Sequence, residues 1–160
     1  MRICDFLTQD RILTTLATRS KEEVIATLAA LVAESHPAID RLTLDRAICE
    51  REQQGSTAVG EGVALPHARF PGLGQNLAAF ICIGDGIDFE SIDGKPTHFI
   101  FLLVSPAEAP GPHLKVLARM SRLLSDPGFK ARSLQAKSSA EILAIFRDED
   151  DRFAQQLRAA

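Results

Sequence analysis

The chain has 160 residues, 46% hydrophobic and 24% charged, which suits about one globular domain spanning residues 1–160 and excludes a disordered or fibrous chain. A net charge of -3 excludes the clustered Lys and Arg of a nucleic-acid footprint. No apolar run approaches the roughly 20 residues that span a bilayer, and MRICDFLTQDR lacks the apolar core of a secretion signal, so a cytoplasmic protein without membrane insertion is expected.

In chain order, Ile12 to Leu16 mixes β-branched and apolar residues and predicts a brief strand. Ser20-Lys21-Glu22-Glu23 has capping-box spacing, and Val24, Ile25, Leu28, Leu31 and Val32 then recur with helical period, predicting a helix over 21–35. His36 before Pro37 reads as a helix-end residue. Thr43 reads as the cap of a second helix over 44–53, with Leu44, Ala47 and Ile48 inward and Arg51 in its last turn. There the simple reading of Arg51 is a favourable cation at a helix C-terminus. The glycine-rich segment that follows offers a second reading, in which Arg51 reaches whatever His67 presents.

Gly55 to Arg69, GSTAVGEGVALPHAR, is the stretch around which the rest is organised. Glycines at 55, 60 and 62 permit positive φ and predict two loops around Ala58 and Val59. Val63-Ala64-Leu65 reads as a short buried strand. Pro66 fixes its own φ and holds Leu65 extended, so the chain presents His67 stiffly at the rim of a core.

Phe70 to Gly74 reads as a loop, and Leu77 to Ile83 as a strand buried on both faces. Residues 84–94 predict a hairpin or bent excursion ending at Asp93-Gly94, followed by a central strand from Thr97 to Ser105 with a structural His98 at its entry. A loop through Pro112 opens a long helix over 113–125 with Leu114, Leu117, Met120, Leu123 and Leu124 as its apolar stripe. His113 stands in the first turn, where the helix dipole favours a neutral ring and free N–H groups favour anions. An incidental exposed histidine is the competing reading. Short helices are predicted over 127–133, over 140–146 behind a Ser138 capping box, and over 152–159 after an acidic turn at 148–151. Helices before, between and after apolar strands make the fold α/β or α+β, with a mixed sheet.

Histidine is a nitrogen nucleophile that is uncharged near neutral pH and accepts a phosphoryl group without an activating base. Phosphoryl transfer then relies on positioning and on donors aimed at the equatorial oxygens. Arg51, His113, Ser56 and the glycine-loop amides are donors of the required kind. There is no P-loop, and Gly60-Glu61-Gly62 is too short for a dinucleotide motif, so no cofactor is expected. Cys4, Cys49 and Cys82 lack metal-ligand spacing, so no metal is expected; they read as reduced thiols, with Cys82 in the core. A Cys49–His67 hydrolase pairing lacks a nucleophile-elbow sequence.

Arg51, then Gly55-Ser56-Thr57, then Gly60-x-Gly62-x-Ala64-x-Pro66-His67, and then His113 at the start of a long helix resemble the enzyme IIA domain, type 2, of the bacterial phosphoenolpyruvate-dependent phosphotransferase system (PTS), of the fructose and mannitol type. ICDFLTQDRIL, the DGKP segment at 93–96 and FIFLLVSP extend the resemblance over nearly the whole chain. It implies a mixed, mostly buried sheet flanked by helices on both faces. It also implies that His67 is phosphorylated, on Nε2, by a histidine-containing phosphocarrier protein, and that Arg51 and His113 hold the phosphate. Gly55, Ser56 and Thr57 would complete the phosphate-binding set. The acceptor in transport members is a cysteine or histidine of a IIB domain.

A chain of this length without fused IIB or IIC parts resembles the nitrogen-regulatory branch, whose members signal through their phosphorylation state. Ala68-Arg69 departs from the small residue and Lys expected after the histidine, and Arg69 alters the electrostatics offered to a partner. Three functions follow: a stoichiometric phosphotransfer regulator, a phosphoryl shuttle to a separate IIB component, and a binding module in which His67 is structural.

Overall fold

The structure, a computed structural model, describes residues 1–17 and 19–160. Its centre is a pair of long antiparallel strands, β5 (Leu77–Ile87) and β6 (Thr97–Pro106). Both were legible as apolar runs, and both are buried on two faces. Alternation sends Ala79, Ile81, Ile100, Leu102 and Val104 to one side and Phe80, Phe99, Phe101 and Leu103 to the other. The first side is covered by α1 (Lys21–Ser35) and α2 (Arg41–Gln53), through Val24, Leu28, Leu44 and Ile48. The second is covered by α3 (Pro110–Leu123), α4 (Pro127–Gln135) and α5 (Ser139–Ala159). Phe146 of α5 stands edge-on to Phe80 and Phe129 at centroid distances of 5.1 and 5.2 Å. Burial of each such ring contributes about 1.5–3 kcal/mol. The result is the expected mixed sheet with helices on both faces.

The other strands are short. β1 (Ile12–Leu13) runs parallel to β5 on its outer edge. β2 (Ala58–Gly60) and β3 (Val63–Ala64) form a hairpin whose turn, Gly60-Glu61-Gly62, has positive φ throughout, at 95°, 57° and 78°. β3 and β4 (His67–Phe70) then pair in succession, both parallel, with the free edge of β6. They are one strand interrupted at Leu65-Pro66, and His67 is the first residue after the interruption.

Several expectations are corrected. β1 stops at Leu13 and not at Leu16. α2 starts at Arg41, because the Asp40 carboxylate accepts the Thr43 amide at 2.9 Å and also its hydroxyl; Thr43 is inside the helix. His67 to Phe70, expected as the exit toward a loop, is a strand held by β6. β5 continues past Ile83 to Ile87, with a register shift after Cys82 that bends the strand, so that of the hairpin or bent excursion expected from residue 84 it is the bend that forms. α3 begins at Pro110, and its buried face carries His113, Val116, Arg119 and Met120, whereas Leu114 is exposed. α4 runs two residues further, to Gln135.

The acidic segment 148–151 is no turn: α5 passes through it unbroken. Asp150 is buried there, bonded to the amides of Ile3 and Cys4 at 2.9 Å each and paired with Arg119 at 2.8 Å. Glu149 pairs with Arg132 and Arg152.

Candidate functional site

The interruption between β3 and β4 creates the site. Pro66 has no N–H to give, but its carbonyl accepts from Leu103 N at 3.1 Å. The next carbonyl back, that of Leu65, points the other way and accepts from His67 Nδ1 at 2.9 Å. A carbonyl can only accept, so Nδ1 carries the proton. The other ring nitrogen, Nε2, accepts from Arg51 Nε at 3.2 Å, and a guanidinium can only donate. His67 is therefore held as the Nδ1–H tautomer, with the Nε2 lone pair outward.

Arg51 comes from the last turn of α2, and its Nη1 also donates to the carbonyl of Gly55 at 3.0 Å. His113 arrives from the first turn of α3, and its ring stands at 65° to that of His67 with centroids 5.2 Å apart. The three residues line one open cleft of about 450 Å³, together with Arg69, Leu114 and Leu117.

Both rings are neutral at pH 7. Burial pushes His67 below the ordinary imidazole value, against the Leu65 carbonyl but with help from the Arg51 charge. Burial, with added repulsion from His67 and Arg69, pushes His113 down to about 4. The neutral ring expected at the helix N-terminus is thus enforced chiefly by desolvation. His113 is 3% exposed, so it is no incidental surface histidine.

Arg51, His67 and His113 come together; Gly55, Ser56 and Thr57 stand apart from the cleft lining. Ser56 Oγ donates to the carbonyl of Phe89 at 3.3 Å and accepts from Ala58 N at 3.1 Å. Thr57 gives its hydroxyl and its amide to the buried carboxylate of Glu52. Gly55 holds Arg51 through its carbonyl, and its amide donates to the Glu52 carbonyl at 3.1 Å.

Two side chains around the site escaped the sequence reading. Glu52 follows Arg51 in the chain and pairs with Lys21 Nζ at 2.9 Å, which fastens the glycine segment to the start of α1. A charged residue beside Arg51 at a helix end was the available hint. Ser105, read only as the end of β6, bonds to His113 Nδ1 at 2.6 Å. His98, read as structural, bonds to the Ile83 carbonyl at 3.0 Å and lies outside the cleft lining.

A neutral nitrogen nucleophile flanked by a guanidinium and a second imidazole is equipped to carry an anionic group. The sequence profile of the "Phosphoenolpyruvate-dependent sugar phosphotransferase system, EIIA 2" family matches residues 5–149. The chain belongs to this family. A nitrogen regulatory protein of Bradyrhizobium diazoefficiens is 39% identical to this EIIA 2 chain over 143 residues, 89% of this chain and 92% of the relative. The fructose-specific EIIABC component of Bacillus subtilis is 34% identical over 150 residues, 94% of this chain. The chain spans only 24% of that relative's length. Among solved structures, the nitrogen regulatory protein IIA-Ntr of Neisseria meningitidis superposes with a TM-score of 0.83 at 31% identity, over 90% of this chain and 98% of that one. The Bradyrhizobium and Neisseria relatives put this EIIA 2 domain with the nitrogen-regulatory branch. No helix among the described residues is long and apolar enough to cross a membrane.

Proposed function

We propose that the protein is the phosphoryl-accepting IIA component of a phosphoenolpyruvate-dependent phosphotransferase system and acts as a regulator of the nitrogen-related type. His67 Nε2 attacks the phosphorus of a phosphohistidine on a histidine-containing phosphocarrier protein. The N–P bond of the donor breaks as the new one forms, and the donor nitrogen keeps the bonding pair. The proton of His67 stays on Nδ1 throughout, donated to the Leu65 carbonyl. Arg51 exchanges its bond to Nε2 for bonds to the phosphoryl oxygens, where a planar cation is worth most. His113 lines the same cleft, its ring centroid 5.2 Å from that of His67.

The observation that carries this reading is the Nε2 lone pair of His67, facing a cation in a cleft that a neutral His113 also lines. Phosphorylation adds a charge of about -1.5 to -2 to that face, enough to change which target proteins bind it. The chain is a stoichiometric carrier in a cytoplasmic phosphorelay, a setting that suits its three free thiols.

The relationship to the fructose-specific EIIABC component favours a second reading, a shuttle to a separate IIB component with a cysteine or histidine acceptor. Intact mass after incubation with phosphoenolpyruvate, the first enzyme of the system and the phosphocarrier tests both, run beside His67→Ala. One acid-labile phosphoryl group is expected on the wild type and none on the variant. Rapid discharge onto an added IIB protein would select the shuttle. A folded wild type that gains no mass from a cognate donor would leave a binding module as the better reading.

A further inference from the structure

Ser105 lies inside the sheet, with no exposed surface, near the end of β6. Its hydroxyl has one partner among the described residues, Nδ1 of His113, at 2.6 Å. Either atom can donate, and the two arrangements are not equivalent. If Nδ1 carried the proton, the serine hydroxyl hydrogen would be buried without an acceptor, a cost of about 1–3 kcal/mol. If the hydroxyl donates, every buried proton is matched. Nδ1 then holds a lone pair, and the proton of the neutral ring sits on Nε2. That nitrogen has no hydrogen-bond partner among the described residues, is not among the buried unpartnered atoms, and belongs to a residue lining the cleft.

We propose that Ser105 is a positioning residue that fixes His113 as the Nε2–H tautomer, so that the cleft offers a lone pair from His67 and an N–H donor from His113. The inference rests on the phosphoryl-acceptor reading for its purpose. With ring centroids 5.2 Å apart, a phosphoryl group on His67 Nε2 is within reach of the second ring. The tautomer decides the sign of that contact: an N–H attracts a phosphoryl oxygen, and a lone pair repels it. Two histidines with the same tautomer would give a poorer site.

Long-range proton–nitrogen correlation spectra of the 15N-labelled, unphosphorylated protein at pH 7.5 read both tautomers directly. The expected wild-type pattern is a protonated Nε2 on His113 and a protonated Nδ1 on His67. His67→Gln assigns the signals. Ser105→Ala is expected to leave the fold intact, to convert the His113 signals to an average of two tautomers, and to slow phosphoryl uptake about tenfold, the worth of one hydrogen bond. Ser105→Thr, which keeps the hydroxyl, is expected to restore the single tautomer.

A wild-type His113 protonated on Nδ1 overturns the proposal. So does a Ser105→Ala protein whose His113 stays entirely in the Nε2–H form. The expected spectra in a protein that takes up no phosphoryl group would support the tautomer assignment and sink the phosphoryl-acceptor reading instead.

Discussion

Arg51 donates from Nε to Nε2 of His67 at 3.2 Å, so the guanidinium rests on the very lone pair that would attack phosphorus. On the phosphoryl-acceptor reading, the cation occupies the place the incoming group takes. Its second anchor, from Nη1 to the Gly55 carbonyl, keeps it at the cleft once the first bond is surrendered. Phosphoryl uptake on that reading asks for an exchange of partners at this one side chain.

Arg51→Ala should slow transfer by about ten- to a hundredfold, the worth of one charge-assisted hydrogen bond of about 1.5–3 kcal/mol. Stability should move little, since the side chain is half-buried at a helix end. Arg51→Lys keeps the charge without the planar fork and should fall between. Time courses of phosphoryl uptake, with thermal melts of the same samples, give both numbers. An unchanged rate in Arg51→Ala would remove this residue from the site.

The pH dependence follows from His113, which titrates near 4 in the folded protein against 6.5 in a free side chain. Between those values the unfolded chain binds a proton that the folded one refuses. Stability is thus fully present above about pH 6.5 and is lost as pH falls toward 4. His67, shifted in the same direction by burial, adds to the loss. Urea unfolding at pH 7.5 and pH 5 should show wild type losing more stability than His113→Gln over that interval. Equal losses would mean that His113 ionises as freely folded as unfolded.

What the sequence disclosed about this fold was local. The Ser20 cap, the apolar runs of β5 and β6, and the glycine segment before His67 each declare themselves within a few residues. What stayed hidden depends on partners far along the chain. The acidic segment 148–151 looked like a turn because like charges repel in sequence. It is helical because Asp150 meets the amides of Ile3 and Cys4 and the guanidinium of Arg119. β4 was illegible because His67-Ala68-Arg69-Phe70 has no strand pattern of its own; pairing with residues 103–106 makes it one. At the site, Arg51, His67 and His113 were recognisable by type and by family motif, but spacing could not show that they meet. The role of Glu52 had only the faint hint of a charge beside Arg51, and that of Ser105 had none, because each is defined by a hydrogen-bond partner.

Glu52 carries the next prediction. Its carboxylate, 5% exposed, holds Lys21 Nζ at 2.9 Å and takes the hydroxyl and amide of Thr57. Glu52→Ala leaves those two donors buried without an acceptor and Lys21 with the exposed Glu90 and the face of the Phe89 ring, so a loss of about 3–5 kcal/mol is expected. Glu52→Gln still offers an oxygen to Thr57 and should lose less. Urea midpoints at pH 7.5 give the comparison. An alanine variant as stable as wild type would show that Thr57 and Lys21 find solvent easily, contrary to their burial.

Gly86 links the bend of β5 to the active-site turn. Its φ is +74°, and a Cβ there would stand 2.8 Å from Pro96 Cβ and 2.9 Å from His98 Cε1. The His98 ring is wedged between this glycine and Gly62, where the Cβ position lies 3.3 Å from His98 Cδ2. It is also tied to the Ile83 carbonyl, so it cannot swing away without losing a hydrogen bond. Gly86→Ala therefore combines left-handed backbone strain with overpacking, each about 1–3 kcal/mol. Gly111 in the first turn of α3 is the matched control. No heavy atom lies within 4 Å of its Cβ position, and alanine there should be neutral or stabilising by up to about 1 kcal/mol. Thermal melts of the two variants should move in opposite directions or differ by several degrees. If Gly86→Ala melts with wild type, His98 is free to yield. The displaced ring would then press on Gly62, five residues before His67, and phosphoryl uptake by that variant should slow although its stability does not change.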